Sequence, residues 1–251
     1  FTDADGEEPR RVGRASWDRF ARYWAFGGVL FANSPRYEQA TNGKTWRCRE
    51  GVRPGSPSPA AREEAFPALW DARPAGLMHL LSASACLPVH EMAAKAIRAS
   101  TAFLDQLDVD DVVMLLGRPY EVTAKLGLEL AEKRWSPAAP SLPLLLGLAT
   151  AVYAPARQRA HQWIDSERAL VLGDASFLAK IVLAPFADTR EVARRVLRSQ
   201  ALAPAVAGPL VARIVADKVS SLFGRPVIVD CKPGANSNIG TLAALHAYLM
   251  L

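Results

Sequence analysis

Cysteine is sparse and unpaired in this 251-residue sequence, which has three, Cys48, Cys86 and Cys231. An odd number at wide spacing excludes a disulfide framework, and without a CxxC pair there is no zinc knuckle or dithiol motif. A reducing compartment is the expectation. Charge of one sign is never concentrated. Basic and acidic residues stand at 12 against 10 over 1–74, 14 against 13 over 75–200, and 4 against 2 over 201–251. The formal charge of +5 is thus spread thinly. Nucleic acid is not an expected partner, because neutralising phosphates needs a basic block. Long apolar runs are missing as well. YWAFGGVLFA (23–32), SLPLLLGLATAVYA (141–154) and IGTLAALHAYLML (239–251) all fall short of the roughly 20 residues that span a bilayer. They read as core, with no membrane span.

Motif chemistry is equally thin. His90-Glu91 opens like HExxH, but Ala94 stands where the second zinc ligand belongs, so His90 reads as a satisfied or solvated side chain. His79, His161 and His246 have no ligand-spaced partners. The acidic DQLDVDD (105–111) lacks the Gly and terminal Glu of a calcium loop and reads as a helix cap near Asp110. Arg194, Arg195 and Arg198 line one helix, a solvated face. There is no GxSxG elbow, no GxGxxG after a strand and no P-loop. No catalytic residue, metal or cofactor is assigned, and a non-enzymatic protein is expected. The chain opens on Phe1 and the acidic TDADGEEP, without initiator Met or signal peptide, which reads as a processed chain or a fragment.

What is present divides into three stretches. Residues 1–74 hold eight of the twenty aromatics within thirty positions, from Trp17 to Trp46. Trp17, Phe20 and Trp24 fall at i, i+3, i+7, the spacing of an amphipathic helix, with Ser16 placed to cap it. An aromatic-rich helical region is therefore expected, closed by a Pro/Gly/Ser linker at GVRPGSPSP (51–59).

From about residue 75 the chain repeats. PVHEMAAKAIR (88–98), EVTAKLGLELA (121–131), PARQRAHQWI (155–164) and DTREVARRVL (188–197) place small residues in phase at Ala93, Gly127, Ala160 and Ala193. One turn on stand Ile97, Ala131, Ile164 and Leu197. A second apolar helix precedes each unit, at 77–81, 112–116, 142–149 and 177–183. A single helical hairpin cannot hide both apolar faces, so hairpins stack, with small residues where helices cross closely. The prediction is a mostly α fold: an α-solenoid of about four helix pairs over 75–200. LGRPYEVTAKLGLELAEKR (116–134) and LAPFADTREVARRVLRS (183–199) resemble the HEAT-type repeats of bacterial multi-repeat proteins. That resemblance implies a scaffold that binds protein partners along one layer of repeat helices. A minority of such folds are DNA-binding or DNA-repair proteins with basic grooves, which gives a third reading. HEAT-like proteins of bacteria point to the cytoplasm.

Residues 201–251 change character. GPLVARIVADKVSSLF (208–223) has the helical period, Gly224 suits a left-handed cap, PVIVD is a short β-branched strand, and KPGAN turns into a closing helix. The result is a short C-terminal βα-type unit, whose turn offers free backbone N–H groups to an anion. ARIVADKVSSLFGRPVIVDCKPGANSNIGTLAALHA (212–247) resembles part of the Bug-type solute receptors of tripartite tricarboxylate transport. By that resemblance Pro233, Gly234, Ala235, Asn236, Ser237, Asn238 and Gly240 would contact a small carboxylate, and the protein would be periplasmic. This is the alternative to the scaffold.

Overall fold

The computed structural model describes residues 1–227. The chain is mostly helical, with thirteen α-helices and four short strands among the described residues. It divides into two compact units, Phe1–Gly127 and Leu128–Leu251.

The first unit begins with two antiparallel hairpins. Strand β1 (Arg10–Val12) pairs with β2 (Ala15–Trp17), and β3 (Tyr37–Gln39) pairs with β4 (Trp46–Cys48). Helix α1 (Trp24–Leu30) lies between them in sequence. The first turn is two residues long and begins at Gly13, whose φ of 59° is the conformation such hairpins favour and glycine adopts without cost. That turn overrides the expected aromatic helix. Trp17 sits opposite Arg10 across the hairpin, Phe20 follows in a turn, and only Trp24 is helical. Ser16 is no helix cap; it is buried in β2 and its hydroxyl donates to the Val52 carbonyl at 3.5 Å. The stretch 51–59 is not a free linker either. The Gly55 amide donates to Asp18 Oδ2, and the Ser56 carbonyl accepts from Arg36. The division between the two units falls inside α7.

Helices α2 (Pro67–Asp71), α3 (Pro74–Ala83), α4 (Leu87–Ile97), α5 (Thr101–Gln106), α6 (Val109–Leu116) and the start of α7 (Glu121–Arg134) complete the first unit. Three begin with Pro in the first turn, where its missing N–H costs nothing. Asp108 caps α6 by accepting from the Asp111 amide at 2.8 Å, with Asp111 returning the bond, so the acidic cluster is a capping box. Helix α3 packs on α4 and on α6. Gly127 on α7 meets Leu116 so closely that an added Cβ would lie 2.9 Å from the Leu116 Cγ.

The second unit holds α8 (Leu142–Ala149), α9 (Ala154–Ser166), α10 (Arg168–Leu172), α11 (Ala175–Val182), α12 (Ala187–Ser199) and α13 (Pro204–Phe223). Helix α8 pairs with α9 and α11 with α12; the two hairpins also meet through α8 with α11 and α9 with α12. Ser141 and Asp174 cap α8 and α11. Helix α13 covers α11, burying Ala207, Leu210 and Ile214. It starts earlier than the period from 208 suggests and carries Pro209 inside, so Ala205 loses its usual backbone donor. It stops at Gly224, left-handed at φ 64° as expected. The remainder of the βα-type unit lies outside the described residues.

Several of the small residues and their partners one turn on are fully buried. Ala93, Ala160 and Ala193 have no exposed surface, nor do Ile97, Ala131 and Ile164. At three of the four small residues, Ala93, Ala160 and Ala193, the position three before it has the same role. His90 Nε2, Arg157 and Arg190 each donate to the carbonyl six residues upstream, Ser84 at 3.0 Å, Ala151 at 2.9 Å and Ala184 at 2.8 Å. Each ties a second helix to the turn that precedes it, satisfying carbonyls freed at the first helix's end.

Candidate functional site

Of the site residues assigned from sequence, Pro233, Gly234, Ala235, Asn236, Ser237, Asn238 and Gly240 all lie outside the described residues. An aromatic-lined cavity of about 160 Å³ lies instead in the first unit. Its apolar lining comes from the aromatic-rich region: Phe20 from the turn after β2, Phe31 from the end of α1, Tyr37 from β3 and Trp46 from β4. Leu87, Pro88 and Glu91 enter from the first turns of α4.

The sequence fixes these walls locally. Trp46 donates its indole N–H to the Trp24 carbonyl at 3.0 Å and lies against Gly27. A Cβ at Gly27 would fall 2.4 Å from the ring, so only glycine allows that approach. The Phe31 and Tyr37 rings are 4.6 Å apart in a tilted pair. The Tyr37 hydroxyl donates to Asp18 Oδ2 at 2.5 Å, and burial followed by that bond pushes its ionisation upward. Asp18 accepts two further bonds, from the Arg19 and Gly55 amides at 2.7 and 2.9 Å.

Arg36 reaches inward over Tyr37, its guanidinium 4.9 Å from the ring centre. It forms a two-pronged pair with Glu63, Nε to Oε1 at 2.9 Å and the second prong at 2.8 Å, and donates to the Ser56 carbonyl at 2.7 Å. Arg36 and Glu63 are both buried. Burial opposes the Glu63 charge, but bonds from Arg36 and Ser34 outweigh it and hold the carboxyl below its ordinary range. Lys95 closes the network through Ser58 Oγ at 2.8 Å and Glu63 at 3.6 Å.

Glu91 differs from its neighbours. It is half-buried and lines both the cavity and a smaller void shared with Glu63 and Lys95. Among the described residues it accepts no hydrogen bond. Burial raises its pKa, opposed by Arg36 and Lys95 and reinforced by Glu63 and Asp18. The arrangement is a small aromatic recess with one uncommitted carboxyl, Glu91, and two more, Asp3 and Asp18, bonded only to neutral donors.

The remaining expectations sort cleanly. His90 has no exposed surface and is stacked on Tyr120 at 3.9 Å. Its Nε2–H donates to Ser84, so Nδ1 accepts from the Thr123 hydroxyl at 2.8 Å, a neutral tautomer whose pKa burial lowers. Cys48 and Cys86 are buried free thiols, both pushed up by burial, Cys86 to about 11. Arg194 and Arg195 pair with Glu191 and Asp165. His79 lines a separate open groove with Met78, Phe103 and Met114. Among the described residues no trio of His, Cys, Asp or Glu is placed to hold a metal, and no helix is long and apolar enough to cross a membrane. Asp18, Arg36 and Glu63 escaped the sequence reading because their partners lie 19 to 37 positions away without any period. Set beside known proteins, the chain matches no family model, no curated protein and no solved structure.

Proposed function

We propose that the protein is a non-enzymatic interaction scaffold of HEAT-like repeats, binding a protein partner along its second-helix layer. The observation that carries this reading is the face formed by α9 and α12. Buried small residues and the Arg157–Asp188 pair hold these helices side by side. Their outer rows stay polar: Gln158, Arg159, Gln162, Glu191 and Arg195 are exposed. Arg157 bonds Asp188, Arg159 bonds Glu132, and Asp165 receives both Arg168 and Arg195. Matched charges of this kind favour a protein partner over a phosphate backbone, which needs uncompensated cations. The cytoplasm is part of the proposal, in keeping with the buried free thiols of Cys48 and Cys86.

The test is site-specific photocrosslinking in cells, with the probe at Gln158 or Gln162 on this face and at Lys180 on α11 as the control. A discrete protein adduct from the first two positions and none from Lys180 is expected. Adducts from Lys180 alone, or none from any position, would sink the scaffold reading.

A further inference from the structure

The aromatic cavity of the first unit is built from none of the residues of the α9 and α12 face, and its chemistry selects a ligand class. Its walls, Phe20, Phe31, Tyr37 and Trp46, present π-systems, whose faces attract cations. Three carboxyls line it without an ion pair among the described residues, and of these Asp3 accepts only from the Leu87 amide and the Tyr120 hydroxyl. Asp18 is held by two backbone amides and one phenol, all neutral, and Glu91 by nothing among the described residues. The inward cation, Arg36, is already matched by Glu63 through both carboxylate oxygens. Arg19 lines the cavity but is itself exposed, with one guanidinium arm on the Asp3 carbonyl. An entering anion would therefore face Asp3, Asp18 and Glu91, with the paired guanidinium of Arg36 and the exposed one of Arg19 in return. A cation would gain the Glu91 carboxylate and the ring faces together.

Size narrows the choice further. At about 160 Å³ the space is roughly ten times what a single water needs, and below the range of drug-sized pockets. We infer that this cavity is a binding site for a small organic cation, a primary ammonium or guanidinium on a flat or slender apolar body. The apolar body lies among Phe31, Tyr37 and Trp46, and the charged end donates to Glu91. Such a group arrives either as a free amine or as the lysine or arginine side chain of a peptide.

Isothermal titration of the full chain tests this with benzylamine and benzamidine as free cations. Nα-acetyl-lysine and Nα-acetyl-arginine methylamides serve as side-chain surrogates, and benzoate and benzyl alcohol as isosteric controls. At least one cation should saturate with a dissociation constant on the order of 0.1–1 mM, fitting for a ligand of so few atoms. Benzoate should not bind. Glu91→Gln should weaken the cation about 10- to 100-fold, the range for losing a charged hydrogen-bond partner. Glu50→Gln, an exposed carboxyl outside the cavity, should change nothing. Binding by the acetylated amino acids but not the free amines assigns the site to a partner's side chain; the reverse assigns it to a free amine. Benzoate binding as well as benzylamine, saturation by no cation, or an unaltered affinity in Glu91→Gln would each overturn the inference.

Discussion

The aromatic-rich first 74 residues and the paired hairpins of the second unit solve the same problem by different means. In the second unit one pattern of burial and bonding recurs. Ala160, Ala193 and Ile164 have no exposed surface, and Arg157 and Arg190 make the same bond to their own turns. In residues 1–74 no bond recurs. The chain is held by single long-range polar contacts such as Arg36 with Glu63, 27 positions apart, and Asp18 with Gly55, 37 apart. Repetition spreads stability over many equivalent contacts. A unique buried network concentrates it in a few, and leaves room between them for a recess.

The sharpest way to break this contrast is Glu63→Ala. Removing one partner of a buried pair strands the other charge, which costs about 3–5 kcal/mol. Arg36 would be left without its two-pronged acceptor, and Ser34 and Lys95 would lose a partner with it. Urea unfolding followed by Trp fluorescence measures the loss. A cost below about 1 kcal/mol, the level of a surface pair, would show the network to be ornamental.

The repeat side is tested by Ala193→Leu. Ala193 is fully enclosed where α12 meets its neighbours, so added methylenes should cost about 1–3 kcal/mol. Because equivalent positions share one environment, Ala160→Leu should fall within the same range. A tolerated Ala193→Leu beside a destructive Ala160→Leu would mean that the two sites are not structurally equivalent.

Legibility in sequence divides along the same line. The positions of the hairpins, the small crossing residues and the Gly224 stop were readable, because a helix buried on one side writes its burial at a fixed period. The aromatic stripe at Trp17, Phe20 and Trp24 has that period as well, yet it belongs to a strand, a turn and a helix. Gly13 was the available signal: a two-residue loop opening on glycine makes a hairpin, and a hairpin breaks a helix. The cavity was not legible at all. Glu91 attracted notice only as the failed half of a zinc motif, and nothing local says that Asp18, Trp46 and Glu91 line one space.

Acid exposes a shared feature of both units. His90 in the first and His161 in the second are neutral, with pKa values lowered first of all by burial. Around His90 stand Arg118 and Asp3, and around His161 stand Arg157, Arg195, Asp165 and Asp188. Because the folded pKa lies below the unfolded one, the unfolded chain takes the proton first. The stabilisation is complete above about pH 6.5 and shrinks as the pH falls from there, by at most about 1.4 kcal/mol per pH unit for each histidine. Unfolding free energies between pH 7.5 and 5.5 should fall for the natural chain. The slope should be shallower in His90→Asn and in His161→Asn. A slope unaltered by either substitution would assign the acid sensitivity elsewhere.

The smallest expected effect says most about the cavity. Glu91 is half-buried, its charge is disfavoured chiefly by burial, and no donor among the described residues repays it. A carboxyl with a raised folded pKa withdraws stability as the pH rises through the interval between its unfolded and folded values. Glu91→Gln removes that penalty at nearly constant shape, so at pH 7 it should stabilise the free protein, by less than about 1 kcal/mol. The gap should close near pH 4, where the natural side chain is protonated and matches the amide in charge. A stabilising substitution that weakens cation binding is the signature of a residue kept for a ligand at some expense to the fold. Equal stability at every pH would mean that Glu91 is already well solvated, and the cavity would lose the uncommitted carboxylate on which its selectivity rests.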